Sequence, residues 1–173
     1  MTKYETFSLF ISALSAVGTI AAVFSAIYLA TIQNRVKVLG KAGKRLMIYS
    51  DGSKPIETLS VQITNRSNRT IKIVTVGWII GKGKNSVNMV QTFNNLVTGK
   101  QLPVLIEPGN DIIQSTKWID HVNGMSYFKD QKDVINKAIR KKQVYLTIFT
   151  TLKDNPYMFK AEQAVIESFK IVG

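Results

Sequence analysis

The chain has 173 residues, a formal net charge of +12, one histidine and no cysteine. Without cysteine there is no disulfide framework, thiolate metal site or cysteine nucleophile, and a lone His121 cannot build a His-rich metal centre. The excess of 23 basic over 11 acidic residues points to anionic partners such as lipid headgroups, nucleotides or nucleic acid, without choosing among them.

The N-terminal third is organised around Phe7 to Ile32. No charged residue occurs from Thr6 through Asn34; Lys3 and Glu5 close the run on one side and Arg35 on the other. As a helix these 26 residues rise about 39 Å, more than the roughly 20 residues a bilayer core requires. Backbone amides in lipid must be satisfied internally, so a single such segment is expected to be helical. A cleaved signal peptide would be shorter, with a basic start and a small-residue cleavage site. An amphipathic surface helix would need a polar face. The sequence therefore predicts one transmembrane helix.

Within it, Gly18, Ala22, Ala26 and Ala30 step by four, in the small-xxx-small spacing that lets two helices approach closely. A second seam, Ser8, Ser12, Ser15, Thr19, Ala22 and Ala26, alternates steps of four and three, as a left-handed bundle would. Either would make the helix a homo-oligomer contact.

Arg35, Lys37, Lys41, Lys44 and Arg45 follow within a dozen residues, with Gly40 and Gly43 read as flexible points. The expected role of residues 33–45 is a basic juxtamembrane connector lying on anionic headgroups. Each such cation contributes about 1 kcal/mol at an acidic membrane surface. The positive-inside rule then puts residues 1–6 outside and residues 46–173 in the cytoplasm at the cell membrane. Were the domain exported in a eukaryote, Asn65-Arg66-Ser67 and Asn68-Arg69-Thr70 would be glycosylation sequons.

From Leu46 onward the pattern becomes short apolar alternations between turn residues. Leu46–Tyr49 reads as a first strand. Leu59, Val61 and Ile63 alternate with polar residues, and Thr70–Ile80 is rich in β-branched side chains. With Asn65–Arg69 as the turn, these two read as a β-hairpin. Further strands are expected over Val87–Val97, Leu102–Ile106, Asp111–Ile119, Val144–Leu152, Tyr157–Lys160 and Gln163–Ile171. Glu107-Pro108-Gly109-Asn110 has type II turn chemistry, His121–Ser126 reads as loop, and Lys153–Pro156 as a turn. Phe128–Lys142 is the one soluble helix expected, with Val134, Ile135, Ala138 and Ile139 on one face.

The fold class is thus mainly β: one N-terminal transmembrane helix, then an antiparallel immunoglobulin-like β-sandwich with one inserted helix.

No catalytic constellation stands out. Asp120 and His121 are neighbours in sequence, which rarely makes an acid–base pair, and no serine motif accompanies them. Gly81-Lys82-Gly83-Lys84 is Gly-rich and basic but lacks the Walker spacing, and reads as a hairpin turn. No cofactor is implied. Lys137, Arg140, Lys141 and Lys142 cluster at a helix end and are the candidate anionic-ligand residues. Aromatics are not interleaved with the cations and no helix-turn-helix is visible, so specific nucleic-acid binding is not expected. The leading expectation is a non-enzymatic, membrane-anchored binding protein for a protein or anionic partner. The alternative is a homo-oligomeric membrane effector, in antiviral defence, whose β-domain senses an anionic ligand.

Overall fold

The computed structural model describes residues 3–33, 35–93 and 96–172. The chain divides into two units, Met1–Arg35 and Val36–Gly173.

The first unit is one helix, α1 (Lys3–Gln33), apolar all round and long enough to cross a membrane. None of its most apolar window is buried in the protein. The Thr19 and Thr31 hydroxyls donate to the carbonyls of Ser15 and Ile27, at 2.9 and 2.7 Å. Thr19, a member of the expected hydroxyl seam, therefore satisfies its proton within its own helix.

The second unit is mainly β. Its strands are β1 (Val38–Met47), β2 (Ile56–Asn65), β3 (Ile71–Ile80), β4 (Val87–Val90), β5 (Leu96–Thr98), β6 (Val104–Ile106), β7 (Asp111–Lys117), β8 (Val144–Thr150) and β9 (Lys153–Lys160). They form two antiparallel sheets, ordered β1-β2-β7-β5 and β4-β3-β8-β9, with β6 also paired to β3. Val61 and Ile63 from one sheet, and Ile73, Val76, Leu146 and Ile148 from the other, belong to one core and are fully buried. Each such side chain contributes about 1.5–3 kcal/mol by leaving water.

Several expectations are corrected here. The stretch expected as a flexible connector becomes strand from Val38, so Lys41, Lys44 and Arg45 belong to the first sheet. Gly40 marks close packing: a Cβ there would lie 2.6 Å from Ile148 Cδ1 and from Phe159 Cδ2.

β2 and β3 do not form a hairpin; they lie in different sheets. The turn between them is a corner pinned by Asn65, whose side chain is wholly buried. Its Nδ2 donates to the carbonyls of Arg69 (2.8 Å) and Ile106 (2.9 Å), and its Oδ1 accepts from the backbone and hydroxyl of Ser67. A polar turn between two alternating strands looks the same in sequence whether the chain folds back or changes sheets.

Val87–Val97 likewise divides between the two sheets as β4 and β5, and its expected irregular point, Asn94-Asn95, lies outside the described residues. The turn expected at Lys153–Pro156 is part of β9, and the chain reverses at Thr151-Leu152 instead. Among the described strands β9 pairs with β8 alone, so Pro156 is tolerated on an edge.

The helical content is also larger than expected. Between β7 and β8 lie α2 (Trp118–Met125), a 3-10 segment (Ser126–Gln131) and α3 (Lys132–Arg140), in place of one helix. The region read as a loop around His121 is α2. The expected last strand is α4 (Gln163–Ser168) followed by a 3-10 segment (Phe169–Val172). Val165, Ile166 and Phe169 are buried, a helical spacing that a short apolar run does not distinguish from a strand.

Candidate functional site

The polar features of the second unit fall into three groups: a lysine-lined concavity, a buried histidine cluster and the cations of β1.

The concavity forms where the β3–β4 loop meets α3. α3 ends in a Schellman motif: Gln143 N–H donates to the Ala138 carbonyl and Lys142 N–H to that of Ile139, both at 2.9 Å. Lys142 takes the left-handed conformation, φ 51°. The chain then enters β8, and Gly81 N–H donates to the Gln143 carbonyl at 2.8 Å, drawing the β3–β4 loop against the helix end. Gly81 has φ 99°, which favours glycine there.

The result is a groove of about 480 Å³, lined by Lys82 from the loop, by Asp133, Lys137 and Lys141 from α3 and its end, and by Val134 and Gln143 among others. A second groove of about 530 Å³ shares Gly81 and Lys82 and continues to Tyr145, Met158 and Lys160. Lys82, Lys137, Lys141 and Lys160 take no part in the two ion pairs found among the described residues. One carboxylate, Asp133, faces three lysines in the first groove, so its net field favours an anion.

Of the four candidate residues read from sequence, Lys137 and Lys141 line the groove. Arg140 and Lys142 are exposed and do not. On a helix, residues four apart share a face, which selects 137 and 141 together. Lys82 belongs to the Gly-Lys-Gly-Lys stretch read as a plain turn. Its charge and glycines were visible in the sequence; its place beside α3 was not.

The second group is His121, 1% exposed and in ring contact with Trp78, Trp118 and Phe169. Its Nδ1 lies 3.2 Å from Gln91 Oε1 and its Nε2 3.2 Å from Ser168 Oγ. Gln91 Oε1 also accepts from Trp78 Nε1 at 2.9 Å. Burial pushes the imidazole down to about 4. The order Gln91–His121–Ser168 has the layout of an orienter, a base and a nucleophile. However, Ser168 is buried, donates to the Val165 carbonyl at 2.6 Å, and lines neither groove. The ring contacts of His121 tie α2, β3 and the C-terminal helical segment together.

The cations of β1 are partly committed within the fold. Arg45 forms a two-pronged pair with Glu162 at 2.5 and 2.7 Å. That hydrogen bonding raises the arginine and holds the glutamate below its ordinary value. Lys44 Nζ lies 2.6 Å from Glu57 and 5.2 Å from the centre of the Trp118 ring. Arg35, Lys37 and Lys41 are exposed. Gly18, Ala22, Ala26 and Ala30 are exposed on α1, and nothing lies within 4 Å of a Cβ built on Gly18.

Comparison with protein-family models, with curated proteins and with solved structures found no match to this chain.

Proposed function

We propose that this chain is a single-pass membrane protein whose basic β-domain is a non-enzymatic binding module for an anionic ligand at the cytoplasmic face. The observation that carries the reading is the groove at Lys82, Lys137 and Lys141, where lysines distant in sequence line one concavity. The helix α1 supplies the anchor, and the cations that follow it supply the orientation. The order β1-β2-β7-β5 against β4-β3-β8-β9 corresponds to strands A-B-E-D against C′-C-F-G, which supports an immunoglobulin-like sandwich with helices inserted between E and F. An anchored module meets membrane-bound partners at high effective concentration, so modest affinity suffices.

Inorganic pyrophosphate is a simple probe of the groove. Titrated into the full-length protein in detergent, it should bind at least about tenfold more weakly to the double variant Lys137→Glu/Lys141→Glu, which loses two groove cations. Arg140→Glu/Lys142→Glu makes the same change in net charge outside the groove and should lose far less. Equal losses would mean diffuse charge attraction and would reject the site.

A second reading is a homo-oligomeric membrane effector using the ladder Gly18, Ala22, Ala26 and Ala30 as its helix contact. Its support is that all four small residues lie exposed along α1. Gly18→Leu should then lower the detergent-solubilised mass; an unchanged mass rejects that contact.

A further inference from the structure

Two grooves meet at the seam where β3 ends and β8 begins. The β3–β8 ladder closes with Ile80 beside Val144, and the Gly81–Gln143 hydrogen bond carries it one step further. Gly81 and Lys82 then line both grooves, which differ in chemistry. On the α3 side the lining is cationic, with Lys82, Lys137 and Lys141 against Asp133. On the β9 side it is built on Ile79, Tyr145 and Met158, with Ser86 and Lys160 as polar groups. Strand register accounts for the second lining. Val144 and Leu146 are fully buried, so alternation turns Tyr145 outward, between Ile79 on β3 and Lys160 on β9. Ser86 Oγ donates to the Gly83 carbonyl at 2.9 Å, so its proton is committed and its oxygen is left as an acceptor.

We infer that the two grooves together bind a nucleoside polyphosphate, its phosphates on Lys82, Lys137 and Lys141 and its base against Tyr145, an assignment that rests on the lysine groove being an anion site. Three lysines against one carboxylate suit several phosphates rather than one. Gln143 lines the first groove and Tyr145, two residues on, lines the second. Two residues of extended chain span about 7 Å, a distance that a ribose bridges. At about 480 and 530 Å³, each groove lies within the range of about 300–1,000 Å³ usual for small-molecule sites. A base presents a flat face that stacks on an aromatic ring. It also presents hydrogen-bonding edges, for which Lys160 is a donor and Ser86 Oγ an acceptor. A lipid phosphate offers the lysines the same headgroup but suits the second groove less. Met158 is 48% exposed, so an acyl chain laid there would keep much of its surface in water, whereas a base needs only one apolar face.

The test titrates ATP and inorganic triphosphate separately into the full-length protein in detergent, without divalent cations. Inorganic triphosphate carries at least as much charge as ATP, so a preference for ATP comes from the nucleoside. Stacking on one aromatic ring should make ATP bind at least about tenfold more tightly. Tyr145→Leu should remove that preference and leave triphosphate affinity unchanged, which also shows that the variant is folded; Tyr145→Phe should keep it. Equal affinity of the wild type for ATP and triphosphate would overturn the inference, and that comparison decides whether or not a variant folds. An ATP preference that survives Tyr145→Leu would also overturn it. So would dioctanoyl phosphatidate binding as tightly as ATP, which would assign the second groove to a lipid chain. Failure of the anion site itself is read separately. Pyrophosphate binding that does not distinguish Lys137→Glu/Lys141→Glu from Arg140→Glu/Lys142→Glu removes the site. Pyrophosphate binding that does, with ATP no tighter than triphosphate, removes the nucleoside alone.

Discussion

His121 allows a quantitative test of the packing between the helices and the second sheet. The folded imidazole has its value lowered to about 4 by burial, from 6.5. Below pH 6.5 the unfolded chain takes up a proton that the folded chain refuses until about pH 4. Stability therefore falls as pH drops through that window and levels off below it. At about 1.4 kcal/mol per pH unit, the window is worth about 3 kcal/mol, of which about 2 kcal/mol is lost between pH 7 and 4.5. That is a large share of the 5–15 kcal/mol typical of a domain.

The assay is a urea midpoint for the full-length protein in detergent at pH 7 and pH 4.5, read by tryptophan emission. Both tryptophans of the chain lie against this ring, with centroids 5.9 Å (Trp78) and 5.5 Å (Trp118) away, so the signal reports the site directly. His121→Gln removes the titration, and the carboxylates contribute equally to both proteins. The wild type should lose about 2 kcal/mol more than the variant on acidification. Identical pH profiles would refute the reasoning. They would mean that Gln91 Oε1 and Ser168 Oγ, each 3.2 Å from a ring nitrogen, hold the imidazolium well enough to cancel its desolvation.

Three further tests address other parts of the fold. Asn65→Ala strands the carbonyls of Arg69 and Ile106 and frees Ser67, so the urea midpoint should fall by the equivalent of about 3 kcal/mol; a loss under about 1 kcal/mol would show that the corner does not depend on it. Gly40→Ala forces a methyl group against Ile148 and Phe159 and should cost about 1–3 kcal/mol by thermal melt, whereas a flexible connector would be indifferent or stabilised. Lys142→Gly relieves a left-handed lysine at the end of α3 and should raise stability by about 1 kcal/mol without weakening pyrophosphate binding, since Lys142 does not line the groove.

Much of the molecule was legible locally. The charge-free run from Thr6 to Asn34 dictated α1, because length and apolarity are properties of consecutive residues. Alternation placed β2, β3 and β8 within a few residues of their observed bounds, and the 3.6-residue period located α3. The short elements around His121 and after Ala161 were misread, since a few apolar residues fit a helix, a loop or a strand equally well. The basic stretch after α1 was misread because glycine permits both flexibility and close approach, and only the neighbours on β8 and β9 distinguish them at Gly40.

Strand partners and the site belong to the tertiary structure. Nothing in Asn65–Arg69 says that the chain changes sheets; that depends on Ile106, 41 residues away, accepting from Asn65. Nor does the spacing of lysines in sequence bring Lys82 to Lys137 and Lys141, which follows from Gly81 bonding to Gln143. By itself the sequence determined the local elements and the overall sign of charge, because hydropathy, periodicity and charge are written in neighbouring residues. Which strands pair and which lysines converge were decided by contacts between residues far apart in the chain.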